Sequence, residues 1–193
     1  MMYYFLRLLS FVFMRPFCRI KYTGRKNVPK GAFVLASTHV SYFDPICLGM
    51  GFSRKIWFMA KSELFESRIP FAGVFLRMCG VFPVVRSSAD RGAVDRASQL
   101  LQKKKIVGIF PQGGIRKENT AFEPKAGAAL LAARNGVPLL PVFIRPHGRI
   151  RPFARITVSI GEPLFAADAS LKGARDLNRR FRAQINMMSE EKT

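Results

Sequence analysis

Short apolar runs alternate with helix-like runs along most of this chain, and that alternation restricts the fold more than any other feature. The strand-like runs occupy 33–37, 56–60, 81–85, 106–110, 139–144 and 155–160. Between most of them, 45–52, 71–79, 90–103 and 125–135 have helical character, and Asn135-Gly136 before Val137-Pro138 gives the last of these a clear stop. Strands that alternate with helices predict parallel pairing through helical crossovers. The expected fold class is therefore α/β, a mostly parallel sheet flanked by helices. With 193 residues, the chain makes one domain of ordinary size. The tail over 170–188 reads as a basic amphipathic helix.

A second apolar tract, 69–85, contains Pro70, Gly73, Arg77, Gly80 and Pro83, so it reads as a helix followed by a strand and not as a membrane span. Phe71, Val74, Phe75 and Met78 recur in it at helical spacing, which predicts a core-packed face.

The N-terminal segment differs from the rest. Leu6, Leu8, Leu9, Phe11, Val12, Phe13 and Phe17 crowd it, Arg7 interrupts the run, and the stretch is shorter than the roughly 20 residues a span needs. No acidic residue precedes Asp44, whereas Arg7, Arg15, Arg19, Lys21, Arg25, Lys26 and Lys30 do. Residues 1–21 are thus expected to be an interfacial segment anchored on an anionic membrane surface, with a single domain over 22–193. A cleavable signal peptide is the competing reading, but no small-x-small site follows and Arg15-Pro16 intervenes.

The whole chain carries 32 Lys and Arg against 12 Asp and Glu, a formal net charge of +20. Such an excess reflects either solubility alone or an anionic partner: membrane, acyl carrier protein, coenzyme A or nucleic acid. Specific nucleic-acid binding is not expected, because the cations follow no recognition motif and no aromatic stacking platform accompanies them. Cys18, Cys47 and Cys79 are too few and too scattered for a disulfide framework, and none has metal-ligand spacing with His39 or His147. They read as reduced thiols, no metal is expected, and the expected location is the cytoplasmic face of a membrane, held monotopically.

Four blocks carry the chemistry. In His39-Val-Ser-Tyr-Phe-Asp44, a histidine that can take a proton near neutral pH stands five residues before a carboxylate able to fix its tautomer. Asp44-Pro45 also reads as an N-cap followed by proline at the first helical position. Gly80 to Arg86 ends a hydrophobic strand on an arginine. Phe110-Pro-Gln-Gly-Gly-Ile-Arg116 closes another strand with a Gly-Gly loop and a cation, and Val137-Pro-Leu-Leu-Pro141 is the fourth block.

In this order the blocks resemble those of the glycerolipid acyltransferases of the lysophosphatidic acid acyltransferase type. That family has His-x4-Asp, a Gly-to-Arg block, Phe-Pro-Glu-Gly-Thr-Arg and Val-Pro-x-x-Pro. The resemblance runs from Tyr22 to Gly161, and Phe122 to Gly127 is similar to the family's Phe-Lys-x-Gly stretch with two residues inserted before Lys125.

The resemblance implies direct acyl transfer without a cofactor, with acyl-CoA or acyl carrier protein as co-substrate and a lysophospholipid, 1-acylglycerol 3-phosphate, as acceptor. It implies His39 and Asp44 as catalytic residues, and Arg86, Phe110, Pro111, Gln112, Gly113, Gly114, Arg116 and Lys125 as substrate-binding ones. One departure stands out. Gln112-Gly-Gly-Ile115 replaces Glu-Gly-Thr-Arg, so the arginine comes one residue late at Arg116. Gln112 keeps a carbonyl acceptor but loses the charge, and Ile115 cannot bind phosphate. Two alternatives follow: an acyltransferase for a glycolipid, aminolipid or carotenoid hydroxyl, or a non-catalytic basic membrane-binding protein. Serine hydrolase chemistry has no Gly-x-Ser-x-Gly elbow to support it.

Overall fold

The structure, a computed structural model, describes residues 2–66, 72–85, 90–115, 121–148 and 154–191. Among these residues seven strands form one sheet: β1 (Cys18–Thr23), β2 (Phe33–Ser37), β3 (Ile56–Lys61), β4 (Val81–Val84), β5 (Ile106–Ile109), β6 (Leu139–His147) and β7 (Ala154–Ile160). Their spatial order is β1-β7-β6-β2-β5-β3-β4. The five strands from β6 to β4 are parallel, as expected, while β7 runs antiparallel to β6 and carries β1 parallel to itself.

Among the described residues six α-helices accompany them: α1 (Met2–Phe17), α2 (Asp44–Gly51), α3 (Ala72–Met78), α4 (Arg91–Gln102), α5 (Gly127–Arg134) and α6 (Leu171–Glu190). The central strand β2 shows why two layers of helix are needed. All five of its residues are buried. Phe33 and Leu35 enter one core with Cys47, Leu48, Phe52, Ile56 and Phe58. Val34 and Ala36 enter the other with residues of α4, α5 and α6, including Leu100, Leu131 and Phe181. Period-2 side chains on a strand buried on both faces give this continuous apolar run.

Helix ends follow local chemistry. Asp90 Oδ1 accepts from Ala93 N at 2.9 Å to start α4, and Ser170 Oγ accepts from Gly173 N at 3.0 Å to start α6. After α5, Gly136 takes φ +59°, which lets Gly136 N and Val137 N donate back to Ala133 O and Ala132 O.

Two sequence expectations change. Val74 and Phe75 are 56% and 53% exposed, and Met78 is also exposed, so the apolar face of α3 is not core. Helical periodicity marks a face without specifying what covers it, and α3 is too short to be wrapped by its neighbours; Phe71 lies outside the described residues. β1 was not among the expected strands. Its Ile20 and Tyr22 pack inward while Arg19 and Lys21 are exposed, the alternation of a half-buried edge strand. Lys21 and Tyr22, on either side of the expected segment junction, both belong to it.

The helix α1 is fastened to the domain by a cation. Arg7 Nε donates to Gly49 O at 3.1 Å and its Nη2 to Met50 O at 3.4 Å, so the guanidinium caps the C-terminus of α2, where unpaired carbonyls concentrate negative partial charge. Lys55 does the same for α3, donating to Met78 O at 3.2 Å while lying 5.2 Å from the centroid of the Tyr3 ring. Arg145 bonds Met188 O, Ser189 O and Glu191 O at the end of α6. Replacing Arg7 with alanine is expected to cost about 1–2 kcal/mol in urea unfolding and to expose α1 to proteolysis. Unchanged protection of α1 would show that its apolar contacts hold it without Arg7.

Candidate active site

The site begins where β2 ends. Thr38 N donates to Val142 O at 3.2 Å and Thr38 Oγ1 accepts from Ile144 N at 3.0 Å, which pins the strand end to β6 and sends His39 out at the carboxyl edge of the sheet. In open parallel sheets this edge is where ligands gather.

Asp44 is the hub of the loop that follows. Its Oδ2 accepts from Val40 N at 2.7 Å, from Ser41 N at 2.8 Å, and bonds His39 Nδ1 at 2.8 Å. The expectation that Asp44 caps α2 is corrected. The N-cap is Phe43, which makes no side-chain cap, and Asp44 sits inside the first turn with its carboxylate turned back on its own loop. A single helical turn is thereby given up as a capping site in exchange for a closed loop around His39.

Asp44 is 2% exposed. A carboxylate accepts only, so His39 Nδ1 carries the proton toward it and Nε2 is left as the basic nitrogen. Among the described residues Nε2 has no hydrogen-bond partner, and the side chain keeps 16% of its surface accessible. The ring therefore presents a lone pair outward from a fixed plane.

The loop after β5 closes over the same histidine. Gln112 Oε1 accepts from His39 N at 3.0 Å, so the carbonyl retained in place of a carboxylate has a defined use: it ties the third block to the first. Phe110 stacks on the imidazole with ring centroids 4.0 Å apart and planes 21° apart. Phe58 stacks on Phe110 at 5.6 Å and 6°. Pro111 is buried and its carbonyl accepts from Lys125 N at 3.0 Å.

Gly113 adopts φ +74°, a conformation that glycine takes without a Cβ clash, and its N–H donates to Phe110 O at 3.0 Å. A Cβ built on it would meet the Lys125 Cε and Nζ, each at 3.6 Å, so the Lys125 ammonium lies directly over this turn. Lys125 is held there from behind. Phe122 packs edge-to-face on Phe181 of α6 with centroids 5.5 Å apart, Asn178 Nδ2 donates to Pro124 O at 3.1 Å, and Arg182 pairs with Glu123 at 2.5 Å.

The structure thus brings His39, Asp44, Phe110, Pro111, Gln112, Gly113, Gly114 and Lys125 to one edge of the sheet. Arg86 and Arg116 lie outside the described residues, and Ile115 is exposed at the loop's end. Sequence reasoning missed an apolar rim beside the histidine: Tyr42 is 83% exposed, with Phe43 and Ile46 exposed next to it. The available signal was the place of Tyr42 and Phe43 inside the His-x4-Asp spacing, where a solvated loop would carry polar residues. It also missed Phe58, whose stacking role depends on a neighbour 52 positions away and leaves no local trace.

The edge of the sheet thus carries a histidine oriented by a buried carboxylate beside a glycine turn with a lysine over it. Residues 19–145 match the acyltransferase family, and the chain belongs to it. It is 34% identical over 154 residues to a 1-acyl-sn-glycerol-3-phosphate acyltransferase of Bacillus subtilis, a match covering 77% of this chain and 75% of that protein. It is 28% identical over 166 residues to an enzyme of the same name from Streptococcus pneumoniae, covering 82% of this chain and 61% of that one. Among solved structures, the lysophosphatidic acid acyltransferase PlsC of Thermotoga maritima shares the fold with a TM-score of 0.72 at 21% identity, over 99% of this chain and 83% of that one.

Proposed function

We propose that this protein transfers a fatty acyl group from an acyl thioester to the free hydroxyl of 1-acylglycerol 3-phosphate, giving phosphatidic acid and a free thiol. The observation that carries the proposal is the Asp44–His39 pair with Nε2 unpartnered at the accessible edge. His39 Nε2 removes the hydroxyl proton as the oxygen attacks the thioester carbonyl, and Asp44 stabilises the imidazolium that forms. Collapse of the tetrahedral intermediate expels the thiolate, which takes the proton back from His39. No covalent acyl-enzyme is involved.

The acceptor phosphate is assigned to Lys125 and the Gly113-Gly114 turn beneath it, with Arg86 and Arg116 completing the cationic set. Gln112 supports the site through the His39 backbone, and its carbonyl is not a phosphate ligand. Either acyl-CoA or acyl carrier protein fits as donor, both being anionic partners for a chain of charge +20.

Residues 1–21 serve as the membrane-associating segment ahead of the acyltransferase domain. Among the described residues no helix is long and apolar enough to cross a membrane. Tyr4, Phe5, Leu8 and Val12 of α1, and Val74, Phe75 and Met78 of α3, are exposed instead. An exposed apolar stripe on a helix joined to a basic domain supports a monotopic hold on the cytoplasmic face.

The test follows thiol release from an acyl thioester by the protein and by His39→Ala, with and without lysophosphatidic acid, together with the lipid product. Acceptor-dependent release that falls by at least about 1000-fold in the variant is expected. Acceptor-independent release would make the protein a thioesterase. Transfer only to lipids without phosphate would favour the second acceptor reading, which rests on the exposed Ile115; no transfer from folded protein would leave a membrane-binding role.

A further inference from the structure

The hydrogen bond from Asp44 fixes one edge of the His39 ring but leaves it free to pivot about that bond. Rotation about the Nδ1···Oδ2 line would swing Nε2 away from the acceptor hydroxyl at little electrostatic cost. What stops this is the face of the ring. Phe110 lies 4.0 Å from the imidazole centroid at 21°, close to parallel, and Phe58 lies nearly parallel to Phe110 at 5.6 Å. Phe58 is buried at the base of this column on β3, so the stack is seated in the core.

The glycine at 108 makes room for it. A Cβ there would come within 2.5 Å of Phe58 Cδ1 and Cε1, so β5 can run beside Phe58 only with no side chain at this position. Three strands, β2, β3 and β5, therefore each contribute a part: the loop after β2 brings His39, the end of β5 brings Phe110, and β3 brings Phe58.

We infer that Phe110 is the positioning residue for the catalytic histidine: its ring holds the imidazole in the plane that aims Nε2 outward and favours the imidazolium that forms during proton transfer. The inference rests on the reading of His39 as the base. An aromatic face attracts a cation placed over it, whereas the neutral imidazole gains only stacking. The interaction is therefore stronger when His39 holds the proton, which is the condition for lowering a barrier and not merely binding substrate. Phe110 in this role does not touch substrate, a change from its expected place among the substrate-binding residues.

Phe110→Leu, which keeps an apolar side chain and removes the ring, is expected to lower kcat by roughly ten- to thirtyfold while the KM values for acyl thioester and lysophosphatidic acid stay within about twofold. Phe110→Tyr should restore most of the rate. In a His39→Ala background the same Leu substitution should have no further effect on the residual rate, because there is no imidazole to position. A loss of equal size in both backgrounds, or a rise in KM with kcat unchanged, would overturn the inference and return Phe110 to structure or substrate binding. Wild-type activity in His39→Ala would instead overturn the reading of His39 as base.

A measurement independent of turnover is available because the chain has two histidines, His39 and His147. Proton NMR of the imidazole CH resonances, assigned with His147→Ala, should place those of His39 upfield through the Phe110 ring current. That displacement should vanish in Phe110→Leu and persist in Phe110→Tyr. Its absence from the wild-type protein would show that the stack does not form in solution, and the inference would fall.

Discussion

Asp44→Asn is expected to reduce kcat by about 1000- to 10,000-fold with little change in KM, the largest loss available from a near-isosteric substitution in this protein. Asparagine can still place one neutral oxygen where Oδ2 stands, facing Val40 N, Ser41 N and His39 Nδ1, so the loop can keep its bonds. What it cannot do is accept from Nδ1–H while carrying the charge that steadies an imidazolium. Turning its NH2 toward the ring would instead favour the other tautomer, with the proton on Nε2 where the acceptor hydroxyl must deliver its own. Asp44→Ala should add a stability loss of about 1–3 kcal/mol, since two partly buried amides then lose their acceptor. Steady-state kinetics on both variants, with circular dichroism as the folding check, separate the effects. An Asp44→Asn enzyme within tenfold of wild type would mean that orientation of His39 does not depend on this carboxylate.

Phe181→Ala should be the most destabilising single truncation that also reaches the site. Phe181 is fully buried on α6 and meets Phe122 edge to face. Removing a buried aromatic ring costs about 3–5 kcal/mol through lost burial and the cavity left behind. For a chain of this size the melting temperature is expected to fall by on the order of 10 °C. Phe122 begins the stretch that carries Lys125 over Gly113, so the folded fraction should also bind lysophosphatidic acid less tightly, with KM raised while kcat for saturating acceptor is retained. Thermal denaturation and acceptor titration at a temperature where the variant is folded check both parts. A lowered melting temperature with wild-type KM would show that Lys125 is positioned without α6.

Much of the architecture was legible in the chain. The strands of the parallel core are short, apolar and separated by helices, so apolar runs and turn residues found them, with most strand ends matching and others off by one residue. β6 extends further than its apolar run because its last residues pair with β7, an arrangement set by partner and not by local sequence. β1 was illegible for a related reason: a half-buried edge strand with alternating cations is indistinguishable in one sequence from a basic linker. In the site, the spacing of His39 and Asp44 was readable because both lie in one loop. The Gln112 bond to His39 N, the Phe58–Phe110–His39 column and the reach of Lys125 to Gly113 join residues far apart in sequence, and no single-sequence pattern encodes such contacts. The exposed face of α3 was misread because its spacing is the same whether protein or lipid covers it.

The cations that close the ends of α2, α3 and α6 bind backbone carbonyls, and carbonyls do not titrate. Arg7, Lys55 and Arg145 therefore keep their partners as the medium turns acidic, where a fold held by arginine–carboxylate pairs would lose one partner of each. With 12 acidic residues against 32 basic ones, most of the positive charge has no carboxylate to lose. Acidification thus adds to the overall repulsion without unfastening these three helix ends, so that these joints, unlike the Asp90 cap of α4, are indifferent to protons.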